Sequence, residues 1–533
     1  MMYNVHATTT SPGPAGAAAA AGHSADPAST PVLIVGGGLV GLCASLFLSQ
    51  HGVRSALAER RTSTSPQPKA RRINMRTMEL FRQLGIDGEV TKAAAALADW
   101  QGMAAGPTLA TAERLPFSPP GGNPDWASTS PAASCLCSQD VLEPVLRELA
   151  GQRGGDLRFG TEVTDLAGDG DGVTATLRGP GGAVTRLRAG YVIAADGARS
   201  PVRERLGIPR SGRGALSRLV SIYFRAGLAE VVRGREFNLC QIENPAAPGA
   251  FASVDGDQRW LFSTPAGPDR SPEQYAQLIG TAIGAPGIGV EVLSVLEWES
   301  GMFVADRLRA GRIFLAGDAA HVMPPYAALG ANTGIQDVHN LAWKLALVLA
   351  GDAAAGLLDS YHDERHPASW FAAEQSSVRR FNLRTMNAAS TDGTLLADPL
   401  TLVFGRQYTS GAVIGDGATA ATDRLDLHGQ PGTRLPHQWL ARGQRSILDL
   451  LDHGRLTLLT GPAGAAWALA APELAGTRLE VVMVSQPGWE QACGIGPGGA
   501  LLVRPDQIVA WRSPGPAAAP RAELEAAIAR LLG

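Results

Sequence analysis

Residues 31–59 constrain this chain more than any other stretch. Pro31-Val-Leu-Ile-Val35 is a short apolar strand, Gly36-Gly37-Gly38-Leu39-Val40-Gly41 follows it directly, and Leu42-Cys-Ala-Ser-Leu-Phe-Leu-Ser-Gln50 reads as a helix of small and apolar residues. A second strand, Val53–Ala58, ends in Glu59, 18 positions beyond Gly41. This is a βαβ unit with G-x-G-x-x-G at the strand-to-helix turn, the opening of a parallel α/β sheet. Gly36 permits the tight turn, Gly38 lets backbone N–H groups approach a pyrophosphate, and Gly41 lets helix and strand pack closely. The helix N-terminus adds its dipole, and Glu59, with Arg60 beside it, is placed to meet an adenosine ribose. The unit predicts a dinucleotide site.

The rest of the composition narrows the partner. The chain has 533 residues, 45% hydrophobic and 18% charged, with a net charge of -3. That is enough for two to four domains, and it offers no general attraction to nucleic acid or to an anionic membrane, so a small molecule is expected. Five cysteines (Cys43, Cys135, Cys137, Cys240, Cys493) show no metal-ligand spacing and no disulfide framework, which points to a reducing cytoplasm and no metal. Residues 1–30, rich in Ala, Ser, Thr, Gly and Pro, read as a disordered leader without a secretory signal. Lys344 interrupts even the greasy run LAWKLALVLAG, so no membrane span is expected.

Two later stretches decide which dinucleotide. Tyr191-Val-Ile-Ala-Ala-Asp196-Gly197-Ala-Arg-Ser-Pro-Val-Arg203 is an apolar strand ending in Asp-Gly and followed by two arginines. Gly317-Asp318-Ala-Ala-His321, after the strand Arg312–Ala316, leads through Pro324-Pro325 to a long helix. With these three fingerprints in this order, the chain resembles the flavoprotein aromatic hydroxylases of the para-hydroxybenzoate hydroxylase type over residues 31–390. The resemblance implies FAD as cofactor, NADPH or NADH as transient co-substrate, and O2. Asp318 would hold the ribityl hydroxyls, Asp196 would lie near both the flavin and the nicotinamide path, and Gln139 would stand against the flavin. Arg76-Thr-Met-Glu-Leu80 matches a helix pattern of the family, as Arg71 matches its P-R-A-R-G-I-N segment.

The loop before the long helix follows from flavin chemistry. Pro324-Pro325 would form a rigid, donor-poor wall, and the helix start at Gly330-Ala331-Asn332 would aim N–H groups at the pyrimidine edge, where charge develops on reduction. His321 reads as structural. Two departures from the family stand out. Ala327-Ala328 replace a Gly-Gly pair, narrowing the space before the ring or restricting the loop's φ/ψ freedom, and Arg72 replaces a glycine. Arg72 would touch the flavin edge or a substrate phenolate, or else point to solvent. With Pro325 these residues form the catalytic candidates.

Between Arg203 and Trp298 alternating strands predict a β-sheet substrate domain, with Tyr223, Phe237, Trp260 and Phe262 as candidate lining of an apolar pocket. The tail resembles the thioredoxin-like domain of the larger polyketide hydroxylases, without C-x-x-C, which suits a structural or oligomerisation role. The expected architecture is α/β: a Rossmann-like FAD-binding domain (31–205 plus 299–390), an inserted substrate-binding β-sheet domain (206–298) and a thioredoxin-like C-terminal domain (391–533). The implied function is hydroxylation of a polycyclic phenolic polyketide through a flavin C4a-hydroperoxide, by a monomer or homodimer. Baeyer–Villiger, epoxidising or rearranging chemistry on the same scaffold, and a non-catalytic FAD-binding partner, are the alternatives.

Overall fold

The computed structural model describes residues 28–116, 125–379, 382–385, 390–415, 425–440, 445–451, 453–471 and 479–533. Of the leader expected over 1–30, residues 1–27 lie outside the described residues, and residues 28–30 are strand. Strand β1 runs Ala28–Val35, because its polar start joins a backbone ladder (Ala28 opposite Leu187, Thr30 opposite Ala189) that requires no apolar side chain.

From β1 the chain enters helix α1 (Leu39–Gln50) and returns in β2 (Ser55–Glu59), parallel to β1. Strand β3 (Arg72–Ile73) leads into helix α2 (Met75–Leu84), capped by the side chain of Asn74 accepting from Thr77 N. Strands β4 (Met103–Gly106) and β5 (Glu113–Leu115) follow, then β6 (Cys135–Leu136), which pairs with β3, and helix α3 (Gln139–Gln152). Strands β7 (Asp156–Phe159), β8 (Glu162–Gly168), β9 (Val173–Arg178) and β10 (Val184–Ala194) complete the first half.

The middle of the chain supplies β11 (Arg210–Arg225), β12 (Leu239–Ile242), β13 (Gly249–Ser253), β14 (Arg259–Pro265), helix α4 (Pro272–Ile283) and β15 (Glu291–Ala305). Short strands β16 (Arg309–Ala310), β17 (Ile313–Leu315) and β18 (His321–Val322) precede helices α5 (Gly330–Ala350) and α6 (Ser360–Ser377). The C-terminal part holds β19 (Leu456–Thr460), β20 (Leu479–Met483), β21 (Ala500–Val503), β22 (Val509–Ser513) and helix α7 (Pro520–Leu532).

Three sheets organise these elements. The first has the order β16-β17-β10-β1-β2-β7, with β1, β2, β7, β10 and β17 parallel and β8–β9 joined through β10. Its strands are continuously apolar because helices cover it, which is why Val32–Val35 and Tyr191–Ala194 are buried without alternation. The second has the order β18-β15-β11-β14-β13-β12-β4-β5, so β4 and β5, from the segment assigned by sequence to the first domain, belong to this sheet. The third has the order β20-β19-β21-β22, with β19 and β20 parallel and the remaining pairs antiparallel, the arrangement of a thioredoxin-like unit.

In the second sheet the alternation has a definite sense. Val220, Ile222, Phe224, Phe251, Trp260 and Phe262 face helix α4, whose Tyr275, Ile279 and Ile283 cover them. Trp100 closes this core edge-on, with its ring centroid 5.5 Å from that of Trp260. Among the described residues, no helix is long and apolar enough to cross a membrane.

Candidate functional site

The three fingerprints converge at one edge of the first sheet. Val35, Ala194 and Leu315 are register partners at the C-terminal ends of β1, β10 and β17, and Ala58 of β2 pairs with Val35. Gly36, Asp196 and Gly317-Asp318 therefore emerge side by side, where a parallel α/β sheet binds its ligand. Gly36 has φ +106°, and a Cβ there would lie 2.3 Å from Ala195 O. A Cβ on Gly41 would lie 1.9 Å from Gly36 O. Neither position admits a side chain. At Gly38 a Cβ would meet only Glu143 Oε1, at 3.5 Å, so the backbone opens onto free space in front of α1.

Two carboxylates shape this turn. Glu59 accepts from Gly37 N (2.7 Å) and Arg61 N (2.8 Å) with separate oxygens, each of which keeps acceptor capacity for a ribose hydroxyl. Arg60 is exposed at the rim. Fully buried Glu143 accepts from Leu39 N (3.0 Å) and Ser65 N (2.9 Å), tying the start of α1 to the loop after β2. It also accepts from Gln139 Nε2 at 2.6 Å. Gln139 in turn is tied to the segment before β3 that carries Arg71: its backbone N donates to Ala70 O at 2.8 Å, and its Oε1 accepts from Ala70 N at 3.4 Å. Sequence reasoning missed Glu143, although its position one turn after Gln139 on α3 was a usable signal.

Polar atoms left without partners mark a place for a ligand. Arg71 Nη1 donates to Asn238 O at 2.9 Å, but Nε and Nη2 are buried without acceptors, and no carboxylate among the described residues pairs with the guanidinium. Burial alone pushes it down to about 10. Asp196 Oδ2 accepts from Val202 N while Oδ1 is unpartnered, and burial pushes this carboxyl up. Asp318 is exposed at the end of the sheet, and the protein packed around it raises its carboxyl as well. A buried cation, two carboxyl groups with acceptor capacity to spare and an open glycine turn fit a ligand carrying phosphates and hydroxyls, as FAD does.

The loop from Pro324 to Leu329 is held in an unusual conformation. Ala327 and Ala328 have φ +66° and +54°, the left-handed region that glycine occupies without strain. Pro325 is exposed and accepts from Ala328 N at 3.1 Å. Buried Asn332 pins the loop: Nδ2 donates to Ala328 O (2.7 Å) and Arg72 O (3.0 Å), and Oδ1 accepts from Asn74 N (3.0 Å) and Thr77 Oγ1 (2.7 Å). The Asn332 side chain is thus fully engaged within the protein, and what Gly330, Ala331 and Asn332 offer outward is the N-terminal backbone of α5. Helix α5 starts two residues before the expected Asn332.

Arg72 does not point into solvent. Its Nη2 donates to Ser134 Oγ at 3.2 Å beside Cys135, and burial lowers its guanidinium. His321, read from the sequence as structural, is buried with its Nε2 2.7 Å from Asp337 Oδ2.

Three of the four pocket aromatics are misplaced in the sequence reading. Phe237, Trp260 and Phe262 are 2%, 0% and 0% exposed and belong to the core under α4. Large apolar side chains on a one-sided sheet are drawn to the face that a helix covers, which is the face away from the cleft. Tyr223 lies on the opposite face with Ser221, Leu261, Ser263, Ser294 and Trp298. This face meets the first sheet's loops: Gln67 Nε2 donates to Ser294 Oγ (3.0 Å), and Arg259 Nη1 reaches Asp140 Oδ2 (3.4 Å) and Tyr223 OH (3.3 Å). Trp298 Nε1 donates to Ser221 Oγ at 2.9 Å. An open cavity of about 460 Å3 adjoins the strained loop, lined by Leu216, Ser217, Ser300, Tyr326 and Arg379 among others.

Comparison with known proteins agrees with this geometry. Residues 29–376 match the FAD binding domain family, and residues 428–533 match the aromatic-ring hydroxylase C-terminal family. Tetracenomycin B2 monooxygenase-dioxygenase of Streptomyces olivaceus is 41% identical over 94% of this chain and 98% of its own length. Aklavinone 12-hydroxylase of Streptomyces purpurascens is 37% identical over the same shares. Among solved structures, aklavinone-11 hydroxylase in a ternary complex with FAD and aklavinone superposes with a TM-score of 0.85 at 35% identity, covering 95% of this chain and 100% of that one. The chain belongs to the FAD-binding aromatic-ring hydroxylases.

Proposed function

We propose that this flavoprotein monooxygenase hydroxylates a polycyclic phenolic substrate of aromatic-polyketide type, with NADPH or NADH as electron donor. The observation that carries the reading is the emergence at one end of the first sheet of an open glycine turn, Asp196 and Asp318, with an unneutralised Arg71 and a strained loop beside them. The polyketide-oxidising relatives support the substrate class. FAD held by these residues would supply the redox chemistry, taking electrons from the nicotinamide and using O2 to deliver one oxygen atom to an electron-rich ring, with the other released as water.

The protein's own residues position and enclose. Gly36, Gly38 and Gly41 open the α1 N-terminus to the pyrophosphate, Glu59 and Arg60 border the adenosine, and Arg71 supplies a fixed positive charge toward the phosphates. Gln139 and Asp196 flank the ring's path, and Asp318 accepts from ribityl hydroxyls. Pro325, Ala327 and Ala328 hold one wall of the ring site in a single conformation, with the N–H groups of Gly330, Ala331 and Asn332 at the ring's edge. Arg72, held by Ser134, stands next to this wall as a fixed positive charge toward the flavin edge or a substrate phenolate. Tyr223 OH accepts from Arg259, so its own hydrogen is free to donate to a substrate oxygen. The cavity of about 460 Å3 beside the loop is of the size that small-molecule sites have.

We divide the chain as the sequence suggests, 31–205 plus 299–390, 206–298 and 391–533, with β4 and β5 lent to the second sheet. All five cysteines are free, which supports a reducing cytoplasm, and the protein acts as a monomer or homodimer. The test is NAD(P)H oxidation under air with a panel of fused-ring phenols, with mass spectrometry of the products. Stimulated oxidation and a product heavier by one oxygen are expected. A lactone or rearranged skeleton, or bound FAD without stimulation by any phenol, overturns the hydroxylase reading.

A further inference from the structure

The C-terminal region meets the first sheet's helices in two ways: an apolar cluster in which Trp343 and Leu347 of α5 join Leu456, Leu502 and Ile528, and a separate set of buried charges. The turn between β21 and β22 enters between α2, α5 and α6, and its Arg504, Asp506 and Gln507 are 0%, 2% and 2% exposed. Arg504 Nη1 and Nη2 donate to the two oxygens of Glu364 on α6 at 2.6 and 2.9 Å, and Arg504 Nε donates to Asp506 Oδ1 at 2.9 Å. Glu364 also accepts from Lys344 Nζ (2.9 Å) and Asn340 Nδ2 (2.6 Å) of α5, and from Ser410 Oγ (2.7 Å). On α2, Arg76 Nη2 donates to Asp506 O at 3.0 Å, and Gln83 Nε2 donates to Pro505 O at 2.8 Å.

The next residue of α6 carries the connection toward the cleft. Arg365 Nη1 donates to Tyr408 OH (2.7 Å), Nε to Asp337 Oδ1 (2.8 Å) and Nη2 to Thr333 O (3.1 Å). Asp337 Oδ2 accepts from Gly317 N at 3.0 Å and contacts His321 Nε2 at 2.7 Å. Tyr408 therefore stands three hydrogen bonds from Gly317, the residue before Asp318. Tyr408 lies between the two family matches, residues 29–376 and 428–533, and Arg504 lies inside the second.

Buried ion pairs are a poor means of merely attaching one domain to another, because apolar residues of the same volume attach as well without desolvating charge. What paired charges add is direction. Each bidentate or three-donor contact fixes the rotation of α5 and α6 about their axes, and Asp337 passes that setting to the Gly317 turn. We propose that Tyr408, Arg365 and Asp337 are positioning residues for the FAD site, with the Arg504–Gln507 turn anchoring the helices that carry them. The C-terminal region is then a working part of the flavin site. This rests on the assignment of the Gly317-Asp318 turn to FAD.

The test is titration of the full-length apoprotein with FAD, alongside its thermal melt and the visible spectrum of the bound flavin. Tyr408→Phe keeps the ring and removes the acceptor for Arg365. It is expected to weaken FAD roughly tenfold and shift the flavin band while leaving the apoprotein melt near wild type. Ile528→Ala, in the apolar cluster that α7 shares with Trp343 and Leu347 of α5, is the comparison, since it weakens the apolar contact and leaves the charges in place: a lower melting midpoint with FAD affinity within about twofold, measured well below that midpoint. Asp318→Ala reports on the site itself. Weakened FAD in Asp318→Ala with wild-type affinity in Tyr408→Phe overturns the positioning role alone. Unchanged affinity in Asp318→Ala overturns the site assignment and the proposal with it. Equal loss in Ile528→Ala and Tyr408→Phe reduces the effect to domain stability and overturns the proposal.

Discussion

The left-handed alanines allow a prediction whose sign is opposite to the usual one. At φ +66° and +54° the Cβ of Ala327 and Ala328 crowds the backbone, at about 1–1.5 kcal/mol per residue. Glycine at either position removes that strain but loses about 0.7 kcal/mol through the greater freedom of the unfolded chain. The difference predicts that Ala328→Gly stabilises the protein by about 0.5 kcal/mol. Ala526, exposed in the middle of α7, gives the contrast, since Ala526→Gly is expected to destabilise by about 1 kcal/mol. Urea denaturation at constant m separates the two by about 1.5 kcal/mol, and the double change Ala327→Gly with Ala328→Gly should roughly double the gain. The gain has a structural condition, because Asn332 Nδ2 must keep its contact to Ala328 O. If Ala328→Gly lowers the urea midpoint as far as Ala526→Gly does, the loop is not strained and the argument fails.

Three further outcomes follow from the same geometry. Arg71→Met should raise apoprotein stability by about 1–2 kcal/mol, by removing a buried charge that no carboxylate offsets, yet weaken FAD about 100-fold. An apoprotein melt and a flavin titration that move in the same direction would contradict this. Trp260→Ala should cost about 3–5 kcal/mol of stability without changing KM for the aromatic substrate, whereas Tyr223→Phe should change KM or kcat with little effect on the melt. Burial, with Arg434 beside it, holds His437 down to about 4 against an ordinary 6.5, so it folds neutral. Its contribution is therefore complete above pH 6.5 and is lost as pH falls toward 4, about 3 kcal/mol in all. His437→Gln should flatten urea midpoints measured across that window, and an unchanged slope would show that His437 does not set it.

Whether a feature was legible in the sequence depended on how far apart the residues that create it lie. The β1–α1–β2 unit is local, and its glycines meet their clashes within a few residues or across one strand pair, so the motif and its geometry coincide. The second sheet is legible as strands but not as faces. Alternation separates Ile222 and Phe224 from Ser221 and Tyr223, yet only the packing of α4 decides that the aromatic face is core and the serine-lined face borders the cleft. Glu143 is hidden for a similar reason, since its partners Leu39 and Ser65 are 104 and 78 positions away. The Ala327-Ala328 pair shows the other limit. Its residue types announce a departure, but alanine by preference avoids positive φ, so sequence points away from the conformation the loop adopts. That conformation is imposed from both ends, by Pro325 O accepting from Ala328 N and by Asn332 holding Ala328 O while its own oxygen is fixed by Asn74 and Thr77. Strain persists only where the surroundings over-determine it, and here they belong to β3, α2 and α5 at once. The wall that the loop presents to the cleft is therefore as rigid as the helices behind it, and those helices are in turn set by the buried charges of the C-terminal turn.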